Sequence, residues 1–224
     1  MVSRSLIYKY LMDIIIPNKC PVCGKILKWN GLLCSKCEND LAPLKPSDNG
    51  DLEDIKVWSL YAYEGKCVDM IYALKHTGEV RNFAEFSAVK LAEMIKLSDF
   101  AGKIDIVTAV PMHWRKKSER GLNQAEVIAK FIADELDKSV DFKLLKHLDD
   151  KEEQHRLSAE ERKIHAEKIY SENKKHADIS GKTVLLCDDV ITTGSTIKVC
   201  MEILHKMGAQ VCCCSIARTV RKYE

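Results

Sequence analysis

Val184-Leu-Leu-Cys-Asp-Asp-Val-Ile-Thr-Thr-Gly-Ser-Thr196 is the stretch whose reading decides the fold. Val184, Leu185 and Leu186 are apolar on both faces, as a parallel strand covered by helices on each side requires. From Ile197 onward, Ile197, Cys200, Met201, Leu204 and Met207 recur at steps of three and four, which predicts an amphipathic helix, and Gly208 suits its C-terminal cap. Between the two, Thr192, Thr193, Gly194, Ser195 and Thr196 offer hydroxyls and backbone N–H groups at a helix start, a place that favours phosphate. Gly194 permits a positive φ or a close approach of the backbone to a ligand. Asp188 and Asp189, immediately before the turn, can accept hydrogen bonds from sugar hydroxyls or hold Mg²⁺. The P-loop alternative needs a Lys directly after its second Gly, and here Ser195 and Thr196 follow Gly194. The three spaced glycines of a dinucleotide loop are absent as well. A sugar-phosphate site fits better than either.

Outward from this turn the pattern alternates strands and helices. Val57–Tyr63 and Ile104–Val110 read as buried strands, Phe142–Leu148 as a short one, and 183–187 and Val211–Ala217 as two more. Helices are expected near 67–75, 82–97, 122–137 and 195–207. Such alternation predicts an α/β domain with an open, mostly parallel sheet, in which ligands meet the carboxyl ends of strands. The loop after Val110 shares that end. It carries His113, Arg115, Lys116, Lys117 and Arg120 before a helix, a concentration of cations suited to a diphosphate. By composition alone it would be an ordinary solvated loop; its place after a buried strand argues otherwise. Residues 149–165, rich in charge and including Gln154, His155, Arg156 and Arg162, read as a lid. His113 and His155 are candidates for proton transfer, although each is more commonly a plain surface histidine.

The amino-terminal part has a separate logic. Cys20-Pro-Val-Cys23 and Cys34-Ser-Lys-Cys37 form two C-x₂-C pairs, the spacing of a tetrahedral Zn²⁺ site, with Gly24 allowing the tight turn behind the first pair. Four thiolates leave no open coordination position, so the metal is assigned a structural role. Leu6, Ile7, Tyr10, Leu11, Ile14 and Ile15 predict a short amphipathic helix before it, ending at Pro17. The expected organisation is a helix and zinc ribbon over 1–45, a linker over 46–55 within a Pro- and acid-rich stretch, and the α/β domain over 56–224.

With 224 residues and a net charge of +2, the chain is neither disordered in bulk nor a strongly basic nucleic-acid binder. No apolar run reaches a membrane span, and no cleavable signal is convincing, which predicts a cytoplasmic protein. Cys212, Cys213 and Cys214 lie in an apolar strand, where adjacent sulfurs point to opposite faces. They are therefore read as core, as are Cys67, Cys187 and Cys200.

The 188–196 stretch resembles the phosphoribosyl-pyrophosphate (PRPP) signature of type I phosphoribosyltransferases. Val110-Pro-x-His113-x-Arg115 with Arg120-Gly-Leu-Asn-Gln-Ala125, Gln154-x-x-Leu157-x₄-Arg162, the Asp188…Thr196 motif, the terminal Ala217-Arg218 and the four-cysteine ribbon together are similar to the ComF competence-protein family. One position departs: His165 stands where that family commonly has Asn. The resemblance implies a type I phosphoribosyltransferase domain joined to a zinc ribbon, acting in DNA uptake and natural transformation through internalised single-stranded DNA. Competence helicase or uptake proteins would be its partners.

On that reading Asp188 and Asp189 are catalytic and hold the ribose with Mg²⁺, and Thr192, Thr193, Gly194, Ser195 and Thr196 hold the 5-phosphate. Arg115, Lys116 and Arg120 face the pyrophosphate, and Gln154 and Arg162 belong to the lid. The acceptor is unspecified. A PRPP sensor without turnover is the alternative, as is a DNA-binding adaptor using Lys19, Lys25, Lys28, Lys36 and Trp29 of the ribbon.

Overall fold

The computed structural model describes residues 17–41, 43, 55–76, 80–148, 169–173 and 178–220. The amino-terminal helix expected before Pro17, most of the linker and the lid residues Gln154 and Arg162 lie outside the described residues.

Five strands form one wholly parallel sheet: β1 (Val57–Ala62), β2 (Ile106–Ala109), β3 (Ser139–Val140), β6 (Thr183–Ile191) and β7 (Gln210–Arg218). Their spatial order is β1-β7-β6-β2-β3. Helices α2 (Lys66–His76) and α3 (Val80–Lys96) connect β1 to β2. Beyond β2, α4 (Trp114–Arg120) and α5 (Gln124–Leu136) lead to β3, and α6 (Ser195–Lys206) crosses from β6 to β7. β4 (Leu145–His147) and β5 (Tyr170–Glu172) pair antiparallel as a separate hairpin. Helix α1 (Ser35–Asn39) belongs to the cysteine ribbon.

The central strands are apolar on both faces because each face is covered. Leu185 and Cys187 join Ile128, Ile132 and Leu91 in one core, whereas Val184 and Leu186 join Ile197, Cys200 and Leu204 in the other. Cys212 and Cys214 point into the first core and Cys213 into the second, as alternation demands, and all three are fully buried.

Three boundaries differ from the sequence expectations. β6 continues four residues past Cys187 to Ile191, because its pairing with β7 persists through Asp188↔Ser215 and Ile191↔Arg218. The acids therefore lie within the strand. The basic segment after β2 is itself helical over Trp114–Arg120, which its sequence hides because no apolar residue there is buried. The strand expected over 142–148 narrows to Leu145–His147 and leaves the main sheet for the hairpin, while Ser139–Val140 takes the edge beside β2.

Candidate functional site

Strand lengths make the notch. On one side β6 pairs with β7 up to Ile191; on the other, β2 ends at Ala109↔Cys187, with Val110 N–H still donating to the Cys187 carbonyl. The chain then turns away into α4, so among the described residues the β2-facing edge of β6 beyond Cys187 has no neighbouring strand. Asp188 and Asp189 stand at this gap. Asp188 Oδ1 accepts the Asp189 N–H at 2.8 Å, and Lys75 Nζ from the last turn of α2 lies 3.0 Å from Asp189 Oδ2. Burial pushes the Asp188 carboxyl up to about 8, and the adjacent Asp189 charge adds to the effect. The Asp189 N–H and the Lys75 ammonium work against it.

Past Ile191 the chain bends through Thr192 and Thr193 to Gly194, which takes φ +78° and ψ −1° directly before α6. A β-branched residue is strained in that conformation. Gly194, the N-cap residue, has no side chain with which to cap α6, so the helix opens directly from the bend. Thr193 Oγ1 and Ser195 Oγ hydrogen-bond to each other at 2.9 Å, and the Ser195 N–H donates to Thr193 Oγ1 at 3.4 Å. Thr192 is exposed, and Thr193, Ser195 and Thr196 are half-buried.

The facing wall is built by the 110–125 segment. His113 Nδ1 accepts the Arg115 N–H at 3.1 Å and caps α4, which Gly121 ends at φ +76°. Buried Asn123 locks the segment at both ends: its Nδ2 donates to the Val110 carbonyl at 3.0 Å, and its Oδ1 accepts the Ala125 N–H that opens α5. Next to it, Gln124 Nε2 donates to the Leu74 carbonyl at 3.2 Å, which ties the end of α2, and hence Lys75, to the same wall. Lys117 turns away to Glu126, at 2.8 Å.

Between the walls lies a cleft of about 300 Å³. It gathers Asp188, Asp189 and Thr196 from the β6–α6 side with Lys116 and Arg120 from the basic side. Arg115 is not in its lining and lies over the Trp114 ring, 5.5 Å from the centroid. Thr192, Thr193 and Ser195 form the bend beyond that lining. His113 lines the cleft with its Nδ1 already engaged as the cap, and His155 lies outside the described residues.

Lys75, His147 and Tyr170 also line the cleft, and sequence reasoning assigned none of them to it. A lysine at the end of an amphipathic helix looks like any solvated one. His147 and Tyr170 meet only because β4 pairs with β5 across 22 intervening residues, with His147↔Tyr170 in register.

At the other end of the chain, Cys20, Cys23, Cys34 and Cys37 place their sulfurs within 4.8 Å of one another, Cys23 to Cys34 at 3.7 Å. Tetrahedral Zn–S bonds of about 2.3 Å imply sulfur separations of about 3.8 Å, so the cage fits zinc. The Gly24 N–H donates to the Cys20 carbonyl, and the Cys37 N–H points at Cys34 Sγ, as in a zinc knuckle. The ribbon docks on the domain: Asn82 Nδ2 of α3 donates to Asn18 Oδ1 at 2.7 Å, and Leu41 is buried in the larger core.

Residues 11–47 match the double zinc ribbon domain model and residues 122–224 the phosphoribosyl transferase domain model. The chain joins a zinc ribbon to a phosphoribosyltransferase domain. The DNA utilization protein YhgH of Salmonella typhimurium is 25% identical over 192 residues, 85% of this chain and 79% of that protein. Competence protein F of Haemophilus influenzae is 28% identical over 106 residues, 47% of this chain and 46% of its own. Among solved structures, adenine phosphoribosyltransferase from Thermoanaerobacter pseudethanolicus has TM-score 0.40 at 15% identity, covering 68% of this chain and 84% of that one. Phosphoribosylpyrophosphate synthetase from Mycobacterium smegmatis has TM-score 0.38 at 19% identity, covering 60% of this chain and 33% of that one. The match of the phosphoribosyltransferase domain contains the acids, the bend and α6, while the basic helix α4 precedes it. Among the described residues no helix is long and apolar enough to cross a membrane.

Proposed function

We propose that the cleft binds PRPP and that the chain transfers, or at least senses, its phosphoribosyl group in the handling of DNA. The observation that carries the reading is the placement of two half-buried acids and an uncapped helix start on one wall, with Lys116 and Arg120 on the other, around one cleft. The bend from Thr192 to Thr196 would take the 5-phosphate, since the hydroxyls and backbone N–H groups at a helix start suit a dianion. Asp188 and Asp189 would accept the ribose hydroxyls, and Lys116 and Arg120 would face the pyrophosphate. Arg115 joins this set only by leaving the Trp114 ring.

Mg²⁺ fits the acid pair, because two adjacent carboxyls in a buried notch are relieved by a dication. When bound with PRPP it supplies positive charge against the oxygen of the leaving pyrophosphate. In a transfer, the bond from the ribose anomeric carbon to pyrophosphate breaks and one to the acceptor forms. The chain's own part is orientation: the bend fixes one end of the ribose phosphate, the acids fix the ring, and the cations stabilise charge at the other end. Gln154 and Arg162, which the sequence reading gives to a lid, lie outside the described residues.

The names of the two relatives, DNA utilization protein and competence protein F, support a role in DNA uptake; single-stranded DNA and helicase or uptake proteins would be its partners on that reading. Ten cysteines without a disulfide among them suit a reducing, cytoplasmic compartment.

The test is calorimetric titration of the full chain with PRPP and Mg²⁺, followed by a pyrophosphate-release assay with nucleobases and oligonucleotides as acceptors. Saturable PRPP binding with release that depends on an acceptor is the expected result. Binding without release makes the protein a sensor, and absence of PRPP binding overturns the reading.

A further inference from the structure

Cys67, Met70, Ile71 and Leu74 recur at helical spacing along α2 and are buried in the larger core. Lys75 stands at the margin of that stripe, one residue before the helix ends. Its stem is largely covered while its ammonium lines the cleft, the usual compromise of a long cation beside apolar surface. There it lies 3.0 Å from Asp189 Oδ2, with the two side chains only 26% and 14% exposed. Lys66 and Asp69, on the same helix, form a pair of another kind. They are 4.0 Å apart and 58% and 73% exposed, an ordinary solvated contact of little consequence.

The backbone beneath Lys75 is held in place. The carbonyl of buried Leu74 accepts a hydrogen bond from buried Gln124 Nε2, which fixes the end of α2 against the start of α5. Only the torsions of the lysine stem can carry the ammonium away from Asp189. Two adjacent carboxyls at the end of a central strand are stabilised in their charged form by a nearby cation, and in this structure Lys75 is such a cation. A dication that uses Asp189 therefore competes with it. Bare metal must displace the ammonium and leave it unpaired close by, like charge beside like charge. A phosphate ligand that arrives without metal meets an acid already neutralised.

We propose that Lys75 is the stand-in cation of the acid pair: it holds Asp189 while no metal is bound, disfavours a bare divalent ion there, and lets a polyanionic ligand enter ahead of its metal. The competition with metal stands on the Lys75–Asp189 contact. The entry of the ligand rests on the proposed PRPP site.

The experiment titrates Mn²⁺ alone into the full chain, following the free ion by electron paramagnetic resonance. PRPP is then titrated by calorimetry in buffer stripped of divalent ions over a chelating resin. Lys75→Met removes the competing charge and is expected to tighten Mn²⁺ about tenfold, with Lys75→Gln doing the same and Lys75→Arg returning to wild type. The gain requires Asp189: in an Asp189→Asn background Lys75→Met is expected to change Mn²⁺ affinity by less than about twofold. Metal-free PRPP binding is expected to move the other way, weakening about tenfold in Lys75→Met because the polyanion then faces two uncompensated acids. Equal Mn²⁺ affinity in wild type, Lys75→Met and Lys75→Gln, or a gain of full size in the Asp189→Asn background, overturns the competition. A tightening in Lys75→Arg equal to that in Lys75→Met shows that packing, and not charge, is responsible and overturns it as well. Unchanged metal-free PRPP affinity in Lys75→Met, beside tighter Mn²⁺, overturns the entry of ligand ahead of metal. Failure of wild type and Lys75→Met alike to bind PRPP, with or without Mg²⁺, sinks the PRPP site; a Mn²⁺ gain in the same proteins leaves the competition standing.

Discussion

The two walls of the cleft hold opposite charges on opposite kinds of scaffold. Asp188 and Asp189 sit near the end of a nine-residue central strand whose first five residues are buried, so their backbone is fixed by the sheet. Lys116 and Arg120 sit on a seven-residue helix with no buried residue, attached to the sheet through Asn123 at one end and capped by His113 at the other. The acids are positioned by the core and pay for their place in desolvation. The cations are cheap to solvate and free to adjust. A ligand spanning both would be located by the first wall and clasped by the second, so damage to the two should differ in kind as well as in size.

The acid wall should give the largest effect. Asp188→Ala together with Asp189→Ala removes the proposed ribose acceptors, each hydrogen bond to a charged group being worth about 1.5–3 kcal/mol. PRPP affinity by calorimetry is expected to fall roughly 100-fold or more. The fold should survive, since neither side chain is part of the apolar cores. A fall smaller than that for the basic-wall variants would reverse the assignment of roles.

Gly194→Val comes next. It keeps every polar group and asks a β-branched residue to hold φ near +78°. Strain of about 1–3 kcal/mol is expected, seen as weaker PRPP binding with the circular-dichroism spectrum of the sheet unchanged. Unaltered affinity would mean that the left-handed bend does not shape the phosphate site.

The legibility of the two walls follows the same division. A buried strand followed by periodic apolar residues after Gly194 has a strong signature, because burial on both faces and a helical repeat constrain many residues at once. The cysteine ribbon is legible too, since its four ligands lie within 18 consecutive residues. The Trp-Arg-Lys-Lys-Ser-Glu-Arg helix has no apolar face and so no period to read; it is held by caps and by Asn123, which are tertiary facts. Lys75 is the same case, for its role is set by the packing of α2 against α5 through Gln124. The extension of β6 through both acids depends on β7 being equally long, which no local pattern announces.

Removing the basic wall should cost less than removing the acids and should depend on salt. Lys116→Ala with Arg120→Ala deletes exposed or half-exposed cations, whose attraction for a phosphate is screened beyond about 10 Å at 0.1 M salt. About a tenfold loss of PRPP affinity is expected at low salt, shrinking at high salt, while the Asp188/Asp189 deficit should persist at both. Equal salt dependence for the two walls would erase the distinction between them.

A last effect is on stability rather than on binding, and it isolates the acid wall alone. Asp188 titrates near 8 in the folded chain because burial and Asp189 disfavour its charge, whereas an unfolded aspartate titrates near 3.9. Between those values the folded state holds a proton that the unfolded state has released. Stability from this group is therefore full below about pH 4 and drains away as pH rises toward 8. Asp188→Asn keeps the shape and removes the titration. In magnesium-free buffer the melting temperature of the wild type should fall from pH 5 to pH 8 more steeply than that of the variant, so that the variant gains relative stability as pH rises. The Lys75 contact with Asp189 limits the size of the difference, and Lys75→Met should enlarge it by leaving both carboxyls without a cation. Parallel melting curves for wild type and Asp188→Asn would show that the notch is wet enough to hold both charges, and the acid wall would then differ from the basic one in position only.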